Sequence, residues 1–150
     1  MFPKLKLPEY FFKIKSADNG KFQIFDANRK KYVALTPEEW VRQNFIQFLI
    51  QEKKYPASLI AIESGLKYNR LKKRSDIIIY KNTKPLLLVE CKAPEITIDQ
   101  NVFNQIAMYN TALKVEYLVV TNGNDHYCCN VDHDTKEYKF LKDIPLYTEL

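Results

Sequence analysis

Two runs of consecutive apolar residues, Ile77-Ile78-Ile79 and Leu86-Leu87-Leu88-Val89, flank a short polar stretch and constrain this chain more than any other feature. Runs without alternation suit strands covered on both faces, so Asp76–Tyr80 and Pro85–Lys92 are expected at the centre of a layered α/β structure. Charge bounds both strands. Asp76 opens the first, while Glu90 and Lys92 close the second. Two residues apart on a strand, Glu90 and Lys92 share a face, with Leu86 and Leu88 preceding them on it. Charged groups that end an apolar row need partners, because an unpaired buried charge is costly.

Whether Asp76 joins them depends on the connecting turn. A three-residue loop, Asn82 to Lys84, opposes Lys81 to Pro85 and therefore Asp76 to Glu90, which places both carboxylates on one face. A two- or four-residue loop opposes Asp76 to Val89 or Cys91 and turns it away. The sequence leaves this register open. In the favourable register the carboxylates repel unless a cation sits between them. Hard oxygen donors with no histidine nearby in sequence point to Mg²⁺ or Mn²⁺ rather than zinc.

The remaining chain supplies layers around these strands. Phe11–Lys15 and Lys21–Phe25 flank the turn residues Asp18-Asn19-Gly20, and Tyr32–Leu35 follows a second turn, giving an N-terminal β-meander over residues 1–35. Thr36, Pro37 and Glu39 read as N-cap, first helical residue and capping-box acid of a helix running to about Lys53. Its apolar stripe is Val41, Phe45, Phe48 and Leu49; 100° spacing puts Glu38 near the stripe's centre and Glu39 to one side. A carboxylate on a buried face is informative, so Glu38 is a candidate metal ligand or water-orienting group. Arg42 either pairs with Glu38 at i+4 or contacts phosphate. Ala57–Glu63 reads as a strand, with a short helix as the alternative, and the basic stretch 68–74 as a loop. Thr97 to Gln100 offers a second capping box, ahead of a helix to about Leu113 with Val102, Ile106, Tyr109 and Leu113 at helical spacing. Tyr117–Val120 is a buried strand, Asn122-Gly123 a turn, and 127–140 an edge hairpin. A mixed sheet flanked by two helices is the economical arrangement.

Several function classes find no support. Three glycines make no phosphate-cradling loop, and no Ser–His–Asp or Cys–His triad is evident. Cys91, Cys128 and Cys129 are odd in number and do not form a C-x2-C half-site. Adjacent cysteines on a strand point to opposite faces and cannot easily share a metal. The apolar runs are too short to span a bilayer, and the N-terminal residues lack the apolar stretch of a secretory signal, so a cytoplasmic location without membrane contact is expected. The net charge of +5 favours a polyanionic partner, with Lys72, Lys73 and Arg74, beside Asp76, as the first choice for phosphate contacts.

Ser75-Asp76, thirteen residues, then Glu90-Cys91-Lys92 resembles the D…E-x-K core of the PD-(D/E)XK nuclease superfamily, with Ser75 where the family name has proline. Thr36-Pro37-Glu38-Glu39-Trp40-Val41-Arg42-Gln43, Leu87–Pro94, Gln105-x3-Tyr109 and Thr121-Asn122-Gly123 together resemble the N-terminal nuclease domain of type I restriction enzyme R subunits. The resemblance implies a restriction-endonuclease-like mixed sheet, with a nuclease core at 36–130 and a C-terminal tail at 131–150. It implies Mg²⁺ or Mn²⁺ held by Asp76, Glu90 and the Cys91 carbonyl, with Lys92 positioning the attacking water. It also implies Gln105 and Tyr109 near the site and DNA, and separate motor or specificity subunits as partners. A nucleic-acid-binding or interaction module that does not cleave is the alternative.

Overall fold

A computed structural model describes residues 2–63 and 76–150, with backbone alone at 63, 76 and 109–113. The expected layers are present. Strands β1 (Ile14–Ser16), β2 (Phe22–Asp26) and β3 (Lys31–Ala34) make an antiparallel three-stranded sheet. Helix α1 (Pro37–Gln51) follows, then a 3₁₀ turn at Ala57–Leu59 that runs directly into β4 (Ile60–Glu63), so the segment read as strand or helix contains both. β5 (Asp76–Lys81), β6 (Lys84–Cys91), α2 (Gln100–Leu113), β7 (Tyr117–Thr121), β8 (His126–Asp132) and β9 (Glu137–Leu141) complete the order. The main sheet runs β4-β5-β6-β7-β8-β9, parallel at β6/β7 and antiparallel elsewhere. The basic stretch Lys72-Lys73-Arg74 lies outside the described residues.

The unbroken apolar runs divide by strand parity between two cores. Ile77, Ile79, Leu87, Val89, Cys91, Val119 and Cys128 face α1, packing with Val41, Phe45, Ile46 and Leu49. Ile78, Leu88, Leu118, Val120 and Cys129 face α2, packing with Ile98, Phe103, Ile106 and Ala107. Adjacent Cys128 and Cys129 thus sit in different cores, as the period of two requires. Burial pushes both thiols up to about 12. Neither is expected to react with iodoacetamide in native protein at pH 8, since only about one thiol in 10⁴ is then ionised. Peptide mapping after labelling, with and without urea, checks this.

Helix ends follow capping chemistry, with two adjustments. Thr36 Oγ1 accepts the Glu39 amide at 3.1 Å, as expected of the N-cap. The Thr36 amide, however, donates to the Ala34 carbonyl, so the reciprocal half of the box is not made. At α2 the cap is Asp99 rather than Thr97: Asp99 Oδ1 accepts the Val102 amide at 2.9 Å, and the helix starts two residues later than the box pattern places it.

The N-terminal residues pack against the main unit. Leu5 is buried in the α1 core, the Lys6 amide donates to the Gly123 carbonyl, and Trp40 Nε1 donates to the Pro3 carbonyl. Gly123 has φ +88°, and a Cβ there would come within 2.7 Å of the Leu5 side chain. Gly123→Ala is expected to cost about 1–2 kcal/mol from the backbone alone, read by urea denaturation.

Candidate functional site

β5 and β6 do bring Asp76 opposite Glu90, by a different route from the one expected. The turn has two residues, Asn82 and Thr83, both at positive φ, and Lys81 opposes Lys84. That turn alone would set Asp76 against Val89. A bulge corrects the count: Tyr80 opposes Pro85 and Ile79 opposes Leu87, leaving Leu86 as the extra residue. The Leu86 carbonyl accepts the Glu116 amide at 3.1 Å. Leu86 therefore leaves the apolar row below Glu90, and Leu88 alone of the pair stays in it.

The register continues on both sides. Glu63 of β4 opposes Asp76, and Val120 of β7 lies beside Glu90. Three acidic positions, Glu63, Asp76 and Glu90, thus follow one another across three adjacent strands. The pairing of β4 with β5, which no local sequence pattern announces, places Glu63 in this row. Glu90 is 2% exposed, and Lys92 Nζ stands 3.6 Å from Glu90 Oε1 with its side chain 23% exposed. Among the described residues, which exclude the side chains of Glu63 and Asp76, no group of three His, Cys, Asp or Glu is placed to hold a metal.

The backbone of Lys92 is anchored by the Thr121-Asn122-Gly123 turn. The Lys92 amide donates to the Thr121 carbonyl at 2.8 Å. Thr121 Oγ1 accepts the Gly123 amide and lies 2.6 Å from His126 Nδ1. Asn122 Oδ1 accepts the amides of Asn124 and Asp125, while its Nδ2 donates to the Ile96 carbonyl at 2.7 Å. One buried side chain therefore ties the β7–β8 turn to the loop after Lys92. His126 packs on Phe45 and Phe48; burial lowers its pKa.

On α1 the two glutamates exchange places relative to expectation. Glu38 is half-buried, whereas Glu39 is 5% exposed and lies in a buried polar cluster. Arg42 pairs with Glu39 at i+3 rather than with Glu38 at i+4, and at 3% exposure it is not presented to phosphate. Glu39 Oε2 also accepts from Gln43 at 2.8 Å, and Arg29 Nη2 reaches Oε1 at 3.4 Å. Asp26 completes the cluster: fully buried, it accepts from Arg29 Nε at 2.6 Å, Gln43 Nε2 at 3.1 Å and two amides of its own turn. The helix stripe rotates because α1 is covered twice, by the main sheet and by the β2–β3 turn. Glu38 stands in the first turn of a helix packed on the sheet face opposite the one that carries Glu90. Gln105 lies on the exposed side of α2, and the Tyr109 side chain is outside the described residues.

The fold and site define an α/β protein whose mixed sheet lines up acidic residues with a lysine at the ends of its central strands. The family model described as Type I restriction enzyme R protein N terminus (HSDR_N) matches residues 37–145. The chain belongs to that family, and its role is restriction-enzyme related. Curated proteins and solved structures give no match. No described helix is long and apolar enough to cross a membrane.

Proposed function

We propose that the chain is a Mg²⁺-dependent DNA endonuclease domain of the PD-(D/E)XK kind, hydrolysing phosphodiester bonds. The observation that carries this reading is the register of Asp76 against Glu90, with Lys92 just past the end of β6 and its Nζ 3.6 Å from Glu90 Oε1. Directly opposed strand residues have Cβ atoms about 4.5–5.5 Å apart, close enough for two carboxylates to share one cation. Oxygen donors without imidazole or thiolate suit Mg²⁺ or Mn²⁺, so this donor set fits such an ion.

In this reading Asp76, Glu90 and the Cys91 carbonyl would hold the ion, which would supply Lewis-acid polarisation of the phosphate and activation of water. Lys92 orients the attacking water and offsets charge on the phosphate as it develops. Glu90 holds the ammonium of Lys92 in place. In-line attack leaves a 5′-phosphate and a 3′-hydroxyl. DNA is the substrate, and family membership supports motor or specificity subunits as partners in a restriction system.

Incubation of the protein with supercoiled plasmid in Mg²⁺ or Mn²⁺ tests this. Nicking that EDTA stops and Asp76→Asn lowers at least about a hundred-fold is the expected result. An absence of cleavage with every divalent metal, from protein that is folded, would count against the reading.

A further inference from the structure

The chain's excess charge is concentrated at one end. Residues 1–35 hold eight Lys and Arg against three Asp and Glu, a surplus of five. That equals the +5 of the whole chain, so residues 36–150 are balanced. One of the three acids, Asp26, is buried against Arg29 and contributes nothing to the surface. Lys13, Lys15, Lys21, Lys30 and Lys31 are all exposed. This region precedes the span matched by the family model, which begins at residue 37.

The sheet β1–β3 has two different faces. Ile24 and Asp26 alternate inward and are buried, so Gln23 and Phe25 alternate outward. Phe25 opposes Tyr32, and their rings meet edge to face at 5.2 Å. Neither ring belongs to either core. Each instead carries an ammonium group: Lys15 Nζ is 4.0 Å from the Tyr32 centroid, and Lys13 Nζ is 5.7 Å from that of Phe25. Two rings outside the core, each beneath a lysine, combine the two elements that single-strand binding requires. A ring face stacks on any unpaired base, and a cation beside it meets the adjoining phosphate. A duplex could use the lysines but not the rings, because its base faces are already stacked.

We propose that the outward face of β1–β3 binds single-stranded DNA, with bases stacking on Phe25 and Tyr32 and phosphates paired with Lys13 and Lys15. In the free protein the ammonium groups occupy the ring faces. Binding exchanges them for bases and moves the charges outward to the backbone. The surface shares no residue with the Asp76–Glu90 row and requires neither metal nor cleavage, so it extends the proposed function without depending on its chemistry.

Fluorescence anisotropy of a short labelled oligothymidine with the full chain, in EDTA, tests the proposal. Binding is expected to weaken with salt, and the Lys13→Ala/Lys15→Ala variant is expected to reduce the log–log salt slope by about 1.4, near 0.7 for each phosphate deprived of its lysine. Tyr32→Ala is expected to weaken binding by about five- to a hundred-fold with the slope unchanged, while Tyr32→Phe retains it. Phe25→Leu supplies a second ring-loss variant, and thermal melts confirm that each protein is folded. Affinity unchanged in the lysine and ring variants, tighter binding to a duplex of the same sequence, or binding confined to anionic lipid vesicles would overturn it. Because EDTA is present, a failure of the nuclease reading leaves these results intact, and plasmid nicking with unaltered oligonucleotide binding in the variants would sink this proposal alone.

Discussion

Lys92→Ala is expected to lower metal-dependent plasmid cleavage by about 10²–10³-fold, the loss typical when one charged donor is removed from a hydrolytic transition state. The geometry explains why so much rests on one side chain. Lys92 stands just past the end of a central strand, its amide anchored to the Thr121 carbonyl and its Nζ 3.6 Å from Glu90. The ammonium is thereby held beside the Glu90 carboxylate instead of sweeping through solvent, and in the proposed reaction part of the ordering is complete before substrate arrives. Lys92→Arg keeps the charge but exchanges a compact donor for a planar fork that cannot occupy the same point; partial loss is expected. Gel quantification of nicked plasmid over time, with folding checked by circular dichroism, measures both. A Lys92→Ala protein that nicks at the wild-type rate would remove Lys92 from the mechanism.

The second large effect is on stability. Glu39→Ala is expected to cost about 3–5 kcal/mol, because it leaves the buried guanidinium of Arg42 without its counter-charge. The cluster also bridges segments distant in sequence: Asp26 lies on β2, Arg29 in the β2–β3 turn, and Glu39, Arg42 and Gln43 on α1. Asn28 extends it by donating to the Ile60 carbonyl at the start of β4. Urea denaturation of Glu39→Ala, Arg42→Ala and the double variant should give a double-mutant cycle far from additive, since either single change strands the other group. Additive losses would mean the pair is not coupled.

Acid should expose the same cluster. Burial of Asp26 raises its pKa, but the amide, side-chain hydrogen bond and charge of Arg29, with the hydrogen bond from Gln43, outweigh burial and lower it overall. A folded-state pKa below the unfolded value means the contribution is present above the unfolded pKa, about 3.9, and is lost as pH falls through the folded value. Asp26→Asn should therefore flatten the acid limb of the stability curve below about pH 4; an unchanged limb would contradict the assignment.

What could be read from the sequence divides along physical lines. Unbroken apolar runs identify the central strands because covering on both faces imposes a composition that turns and edge strands do not share. The face common to Glu90 and Lys92 follows from the period of two. The register of Asp76 needed more than periodicity: the two-residue turn and the bulge at Leu86 are each a shift of one, and only together do they return Asp76 to Glu90. Loop length alone does not reveal a bulge. Glu38 and Glu39 were exchanged for a related reason. A helical-wheel stripe assumes one covering surface, and α1 has two, the second supplied by a turn ten residues upstream whose Asp26 and Arg29 reach Glu39 and Gln43. Glu63 entered the acidic row through a strand pairing across the 64–75 segment, a contact that residue spacing does not encode.

The proposed metal site is open to test by Mn²⁺ binding, followed by electron paramagnetic resonance in the wild-type protein, Asp76→Asn and Glu90→Gln. An ion bound by the wild type is expected, with an affinity that falls at least about ten-fold in each variant, in line with loss of a carboxylate ligand, together with loss of plasmid nicking. Mn²⁺ affinity that neither substitution changes, in proteins that remain folded, would contradict a metal held between Asp76 and Glu90.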